Sequence, residues 1–329
     1  MGVPRAGVPA GADSLEGMRS PLLDLPGAVP ADAPDSDVAA HYGDLYAEQR
    51  ALAKGEAVVD RSNREVIRVT GADRLKWLND LTSQKLDTLR PGEWTQTLDL
   101  DLQGRVQHHL TLVDDGESVL AHVEPGTAQS LIDYLDRMRF MLRVEVSRAD
   151  DLAVLSTASE DFLVPRAELA DHLGRPLAGL WAYEALRIEA HRPRLGFETD
   201  HKTIPHELGW IGSAVHLTKG CYRGQETVAR VHNLGHPPRR LVFLHLDGSV
   251  DTLPPHGAPV MFESQEVGVV GSAARHHELG PIALAVVKRT VPVDAPLLAG
   301  GVAASQEVVV PPDAGRNVSI DPTLRRRLR

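Results

Sequence analysis

The chain has 329 residues, 35 Lys+Arg against 45 Asp+Glu, 42% hydrophobic residues and one cysteine. At about 100–200 residues per domain, such a length fits two or three domains with ample core, and a formal charge of −10 argues against a protein that grips long nucleic acid through its phosphates. The single Cys221 excludes an intrachain disulfide and any metal cluster held by the thiols of one chain alone.

Prolines at positions 4, 9, 21, 26, 30 and 34, with Asp13, Glu16 and Asp24 between them, predict a disordered tail over residues 1–36 without a secretory apolar run. No later apolar stretch approaches the roughly 18–20 residues of a membrane span, so a cytoplasmic protein without membrane contact is expected. From residue 37 the pattern predicts a helix over His41–Leu52 and extended runs at Ala57–Asp60 and Glu65–Val69. Asp73 then stands to cap a helix through Leu75, Leu78 and Leu81. Trp94–Leu100 and Val106–Val113 read as paired strands around Gly104, followed by a strand at Val119–Val123. Pro125 suits the first turn of a helix burying Leu131, Ile132, Leu135 and Met138, before a strand at Leu142–Val146.

Strands at Ala153–Thr157 and Phe162–Val164 and helices at Arg166–Leu173 and Leu180–Ala190 complete a mixed pattern that predicts an α+β fold. After Pro237-Pro238 short strands separated by Gly and Pro predict a small antiparallel barrel or sandwich. The expected organisation is a tail (1–36), two α/β modules (37–147 and 148–236), a β-barrel (237–312) and a second tail (313–329). Arg325–Arg327 in that second tail read as a solvated end.

The densest chemistry is the string Lys219-Gly220-Cys221-Tyr222-Arg223-Gly224-Gln225-Glu226. Glycines on either side of Cys221 allow close approach of a ligand, and Lys219 and Arg223 would favour its thiolate. A buried packing thiol is the alternative reading. His201, His206, His216 and Cys221 match no zinc spacing, and no metal is expected.

This string resembles the K-G-C-[YF]-x-G-Q-E signature of the YgfZ family, folate-binding relatives of the glycine-cleavage T-protein (aminomethyltransferase). Val59-Asp60-Arg61-Ser62 with Val69-Thr70-Gly71-Ala72-Asp73, Arg187-Ile188-Glu189-Ala190 with Pro193, Gly196, Glu198 and Asp200, and Ile204-Pro205-His206-Glu207 extend the resemblance over about residues 40–312. It implies a ring of two ferredoxin-like modules plus a C-terminal barrel around a central cavity for tetrahydrofolate or a one-carbon derivative. It also implies a role in assembly or repair of iron–sulfur enzymes, in one branch linked to tRNA thiomodification.

By the same resemblance, Glu189 is the carboxylate that clasps the pterin's paired donors and Tyr222 is a ring neighbour. Lys219, Arg223 and Arg230 are candidates for the glutamate tail, with Arg230 equally placed to pair with Glu226. Cys221 would be the reactive thiol. One departure bears on activity: T-protein relatives carry G-x-x-x-D-D where this chain has Gly104-Arg105-Val106-Gln107-His108-His109. A histidine does not replace a permanently anionic carboxylate, so aminomethyl transfer is not expected. A folate-dependent one-carbon transferase or demethylase, and a scaffold that docks client proteins, are the competing functions.

Overall fold

The structure, a computed structural model, describes residues 19–317. Residues 1–18 of the expected first tail, and Arg325–Arg327, lie outside the described residues.

The residues between Val58 and Ala178 build two separate sheets. A five-stranded sheet runs in the order Trp94–Leu100, Val106–Asp114, Ser118–Val123, Glu65–Thr70, Glu145–Arg148. Helices α2 (Arg74–Leu81) and α3 (Ala128–Arg137) cover one face of it. Alternation along the strands sends Ile67, Val69, Leu110 and Leu112 toward Leu131 and Leu135 of α3 and Trp77 and Leu78 of α2. Each leucine so buried contributes roughly 1.5–3 kcal/mol.

A four-stranded sheet follows the order Asp161–Pro165, Leu152–Ser156, Val58–Asp60, Leu177–Ala178. It is flanked by α1 (Leu45–Ala53) and α4 (Leu180–Glu189), whose Leu52, Tyr183 and Leu186 share a core with Val59 and Ala178. The expected α+β arrangement is therefore present. So is the antiparallel barrel, closed by six strands: Arg239–Leu246, Gly280–Lys288, Gln265–His276, Pro259–Phe262, Leu297–Ala299 and Val302–Val308. Closure leaves no sheet edge open to another chain.

Several boundaries differ from expectation. Order begins well before residue 37: Pro21 starts a 3-10 turn (Pro21–Asp24), Val29–Pro30 pairs with Ala39–His41, and Leu22, Leu23 and Asp35 are buried. The prolines fix φ inside a packed segment there and do not mark a tail. At the other end, Asn317 donates to the His232 carbonyl and Ala314 accepts from His236, so residues 313–317 lie against α5 (Gln225–Leu234). Asp73 makes no capping bond, because its carboxylate is taken by Arg143. The strand expected at Leu142–Val146 begins only at Glu145.

Candidate functional site

A cavity of about 810 Å³ opens between the two sheets and the chain segments that follow α4. Trp94, Phe162, Tyr183 and Trp210 supply aromatic wall; Arg61, Arg64, Arg187, Arg192 and Arg194 face it with only Glu124, Glu160 and Asp161 as lining carboxylates. Its size is that of a cofactor site, and its lining has an excess of positive charge.

Helical phase explains how α4 contributes. Successive residues turn by 100°, so Glu184 and Arg187 lie on one face, and Arg187 donates to Glu184 at 2.6 and 2.8 Å. Arg187 also reaches Glu198 at 3.4 Å and Ser272 of the barrel. Beyond the helix, Arg194 donates to both oxygens of Asp35 at 2.7 and 2.8 Å and to Glu124 at 2.8 Å, and approaches Glu184 at 3.6 Å. The early segment, the five-stranded sheet and α4 are thus tied through one guanidinium.

The opposite wall is wired in the same way. Arg61 donates to Asp161 at 3.0 Å, and Arg64 pairs with Glu124. Arg64 Nε donates to His122 Nδ1 at 2.8 Å, so that ring carries its proton on Nε2, which donates to Asp161 at 2.9 Å. Burial alone would raise the Glu124 and Asp161 carboxyls. Arg194 and Arg64 around Glu124, and Arg61 and His122 around Asp161, hold both well below the usual carboxylate range instead.

Burial, reinforced by Arg64, pushes His109 and His122 down to about 4. Both are therefore neutral when folded and protonate more readily when unfolded. The stability they confer is complete above pH ~6.5 and is lost as the pH falls toward 4, roughly 3 kcal/mol apiece. Urea denaturation between pH 7.5 and 4.5 should show this decline, and His109→Gln should flatten it by up to about 1.4 kcal/mol per pH unit. An unchanged slope in the variant would show that His109 is not buried in its neutral form.

The pair His108-His109 is split across two faces. Asp99 opposes His108 while Leu100 opposes Val106, so Gln107 is the extra residue of a bulge. His109 turns to the cavity, 3.1 Å from Gln96 Oε1 and with its ring 4.9 Å from that of Trp210. His108 turns toward α3.

The residues expected to hold a cofactor are elsewhere. Glu189 sits five positions after Glu184, on another face of α4. Its side chain is 46% exposed and 3.2 Å from His276 of the barrel, so the expectation that it faces an enclosed hollow is corrected. Lys219 Nζ donates to three backbone carbonyls at the C-terminal end of α2 and just beyond it: Asn79, Thr82 and, at 3.0 Å, Gln84. It serves the chain's own helix end, and burial pushes its ammonium down to about 8. Lys219→Met should cost about 1.5–3 kcal/mol in urea denaturation, since hydrogen bonds from a charged donor are lost; a change below about 0.5 kcal/mol would contradict this role.

Tyr222 belongs to the core with Leu98, Leu100 and Trp210, and Arg223 stacks over Tyr134 at 5.1 Å. Arg230 is exposed on α5, and Cys221 is exposed. None of these residues lines the cavity. The signature's second glycine has a structural reason: Gly224 has φ +82°, and a Cβ there would lie 2.6 Å from the Asp101 carbonyl. Of the four tryptophans, Trp77 and Trp210 are buried, Trp94 and Trp210 line the cavity and Trp181 is 43% exposed. Among the described residues, no group of three or more His, Cys, Asp or Glu is arranged to hold a metal ion, and no helix is long and apolar enough to cross a membrane.

Comparison with known proteins bears on this arrangement. Residues 239–325 match the family model described as the glycine cleavage T-protein C-terminal barrel domain. An Arabidopsis thaliana protein, provisionally named a chloroplastic transferase, is 24% identical over 68% of this chain, which spans 62% of that protein's length. The aminomethyltransferase of Synechococcus sp. strain RCC307 is 27% identical over 77% of this chain and 84% of its own. The crystal structure of the glycine cleavage system aminomethyltransferase T from Bartonella henselae superposes with a TM-score of 0.74, covering 91% of this chain and 98% of that one at 16% identity.

Proposed function

Because the chain belongs to the superfamily of the glycine-cleavage T-protein and the aminomethyltransferases, we propose that its central hollow binds a reduced folate. The observation that carries this reading is the union, in about 810 Å³, of aromatic walls with an arginine cluster. The fit can be judged group by group. Trp94, Tyr183 and Trp210 suit a flat bicyclic ring. Gln96 Oε1 and the ionised oxygens of Glu124 and Asp161, which retain spare lone pairs, suit the donor edge of a pterin. Arg192 suits the glutamate tail: among the described residues it has no carboxylate partner, donating only to the Ala158 carbonyl at 2.7 Å and lying 5.4 Å from the Tyr183 ring centre.

A reduced folate, when bound, carries one-carbon units. The protein around it supplies stacking, charge and exclusion of water. Both positions that are acidic in T-protein relatives are histidines, His108 turned to α3 and neutral His109 turned to the cavity, and the loss of both carboxylates favours a binding or sensing role over aminomethyl transfer. In this reading the protein supports assembly or repair of iron–sulfur enzymes, including one that thiolates tRNA, and offers Cys221 to its client. The exposure of Cys221 and the K-G-C-Y-x-G-Q-E string support that role.

Calorimetric titration with tetrahydrofolate tests the first part, with one site per chain expected and absence of heat overturning it. Formation of methylene-tetrahydrofolate from an aminomethyl donor would favour the transferase reading. In a strain lacking the protein, Cys221→Ser is expected to leave iron–sulfur enzyme activity unrestored, whereas full restoration would remove the thiol from the function.

A further inference from the structure

The bulge at Gln107 that sends His109 into the hollow also delivers His108 to α3, where it meets groups the folate reading does not use. His108 Nδ1 lies 2.9 Å from Oδ2 of Asp99, which is 2% exposed, and Nε2 lies 2.9 Å from Oγ of Ser130, which is exposed. We propose that Ser130, His108 and Asp99 form a nucleophile–base–carboxylate relay that hydrolyses carboxylic esters or thioesters at the open first turn of α3.

The proton positions follow from the partners. An ionised Asp99 only accepts, so Nδ1 carries the proton, and a neutral ring turns its Nε2 lone pair to the Ser130 hydroxyl. That hydroxyl is also 2.9 Å from the Thr127 carbonyl. It can turn there once the imidazole is protonated.

Stabilisation for a developing oxyanion is at hand. The helix N-cap, Thr127, gives its hydroxyl to the Glu124 carbonyl at 2.7 Å and makes no side-chain cap, while Glu65 takes the Ala128 N–H. The N–H groups of Gln129 and Ser130 are left without an acceptor among the described residues, beside the nucleophile and at the positive end of a ten-residue helix. One turn further along, Arg223 stands over Tyr134 and has no carboxylate partner among the described residues, which suits a substrate that carries a negative charge away from the ester or thioester bond.

In the first step Ser130 Oγ bonds to the carbonyl carbon and its proton passes to His108 Nε2. The ester C–O or thioester C–S bond then breaks, and the same proton leaves with the alcohol or thiol. Water, deprotonated by His108, cleaves the acyl-serine to free acid and restores the hydroxyl. Asp99 positions the ring and stabilises the imidazolium.

The full chain is to be treated with a fluorophosphonate probe and, separately, with p-nitrophenyl acetate. A covalent adduct is expected on the peptide containing Ser130, and hydrolysis should fall at least about 100-fold in Ser130→Ala and in His108→Gln. Asp99→Asn should shift the pH profile of the remaining rate, which loss of packing alone would not do. Tetrahydrofolate affinity should be unchanged in Ser130→Ala, so the result stands apart from the folate assignment. Absence of labelling in the wild-type protein, or equal hydrolysis by Ser130→Ala with its exposed and fold-neutral change, overturns the relay.

Discussion

Replacing Arg194 by alanine is expected to lower the free energy of unfolding by about 3–5 kcal/mol, the range seen when one member of a buried ion network is removed. The size follows from what would remain. Asp35, Glu124 and Glu184 converge on this guanidinium, and the side chains of all four residues are at least four-fifths buried. Without it, Glu124 keeps only Arg64, and Asp35 keeps only the Asn63 amide. Each carboxylate would then take up a proton or draw water into the core, and either costs free energy. Arg194→Lys should recover only part of the loss, since one ammonium cannot reproduce the paired bonds to Asp35. Urea denaturation at pH 7 is the measurement, and a change under about 1 kcal/mol would show that the network is not a stabilising hub.

The second large effect concerns the ligand. Arg192→Ala is expected to weaken tetrahydrofolate binding by roughly 10- to 150-fold, the equivalent of the 1.5–3 kcal/mol of a hydrogen bond involving a charge. A tetrahydropterin without the glutamate tail should bind the variant and the wild-type protein equally. Glu189→Ala, outside the hollow and beside His276, should leave both affinities unchanged. Calorimetry or quenching of tryptophan fluorescence reads all of these. If Glu189→Ala abolishes binding while Arg192→Ala does not, the ligand lies near the end of α4 against the barrel and not in the arginine-lined hollow.

Periodicity made much of the fold readable in the residues. Alternation in Trp94–Leu100, the apolar face of α3 and the Gly- and Pro-punctuated run after Pro238 each correspond to an element of the structure. The cavity was far less readable, for reasons of phase. In α4 a five-residue step separates Glu184 from Glu189 and decides which carboxylate lies beside Arg187, and a motif does not display that angle. Adjacent residues of a strand face opposite sides, so His108 and His109 serve different surroundings, and the bulge at Gln107 decides which of the two meets the cavity.

Arg64, Glu124, Asp161 and Arg194 lie far apart in sequence and meet only through packing between sheets. Their one legible sign was a chain that uses arginine where lysine would serve a solvated surface. Lys219 and Tyr222 looked like ligand contacts because they flank a reactive thiol, yet a lysine also caps carbonyls and a tyrosine also fills a core. The prolines before residue 37 looked like a tail because proline is common in both disordered and tightly folded segments. Only burial of Leu22, Leu23 and Asp35 separates the two.

The most direct measurement is a crystal structure of the full chain grown anaerobically with tetrahydrofolate. The bicyclic ring is expected between Trp94, Tyr183 and Trp210, with a tail carboxylate against Arg192. Ligand density anywhere else, or none in the hollow at saturating concentration, would contradict the account.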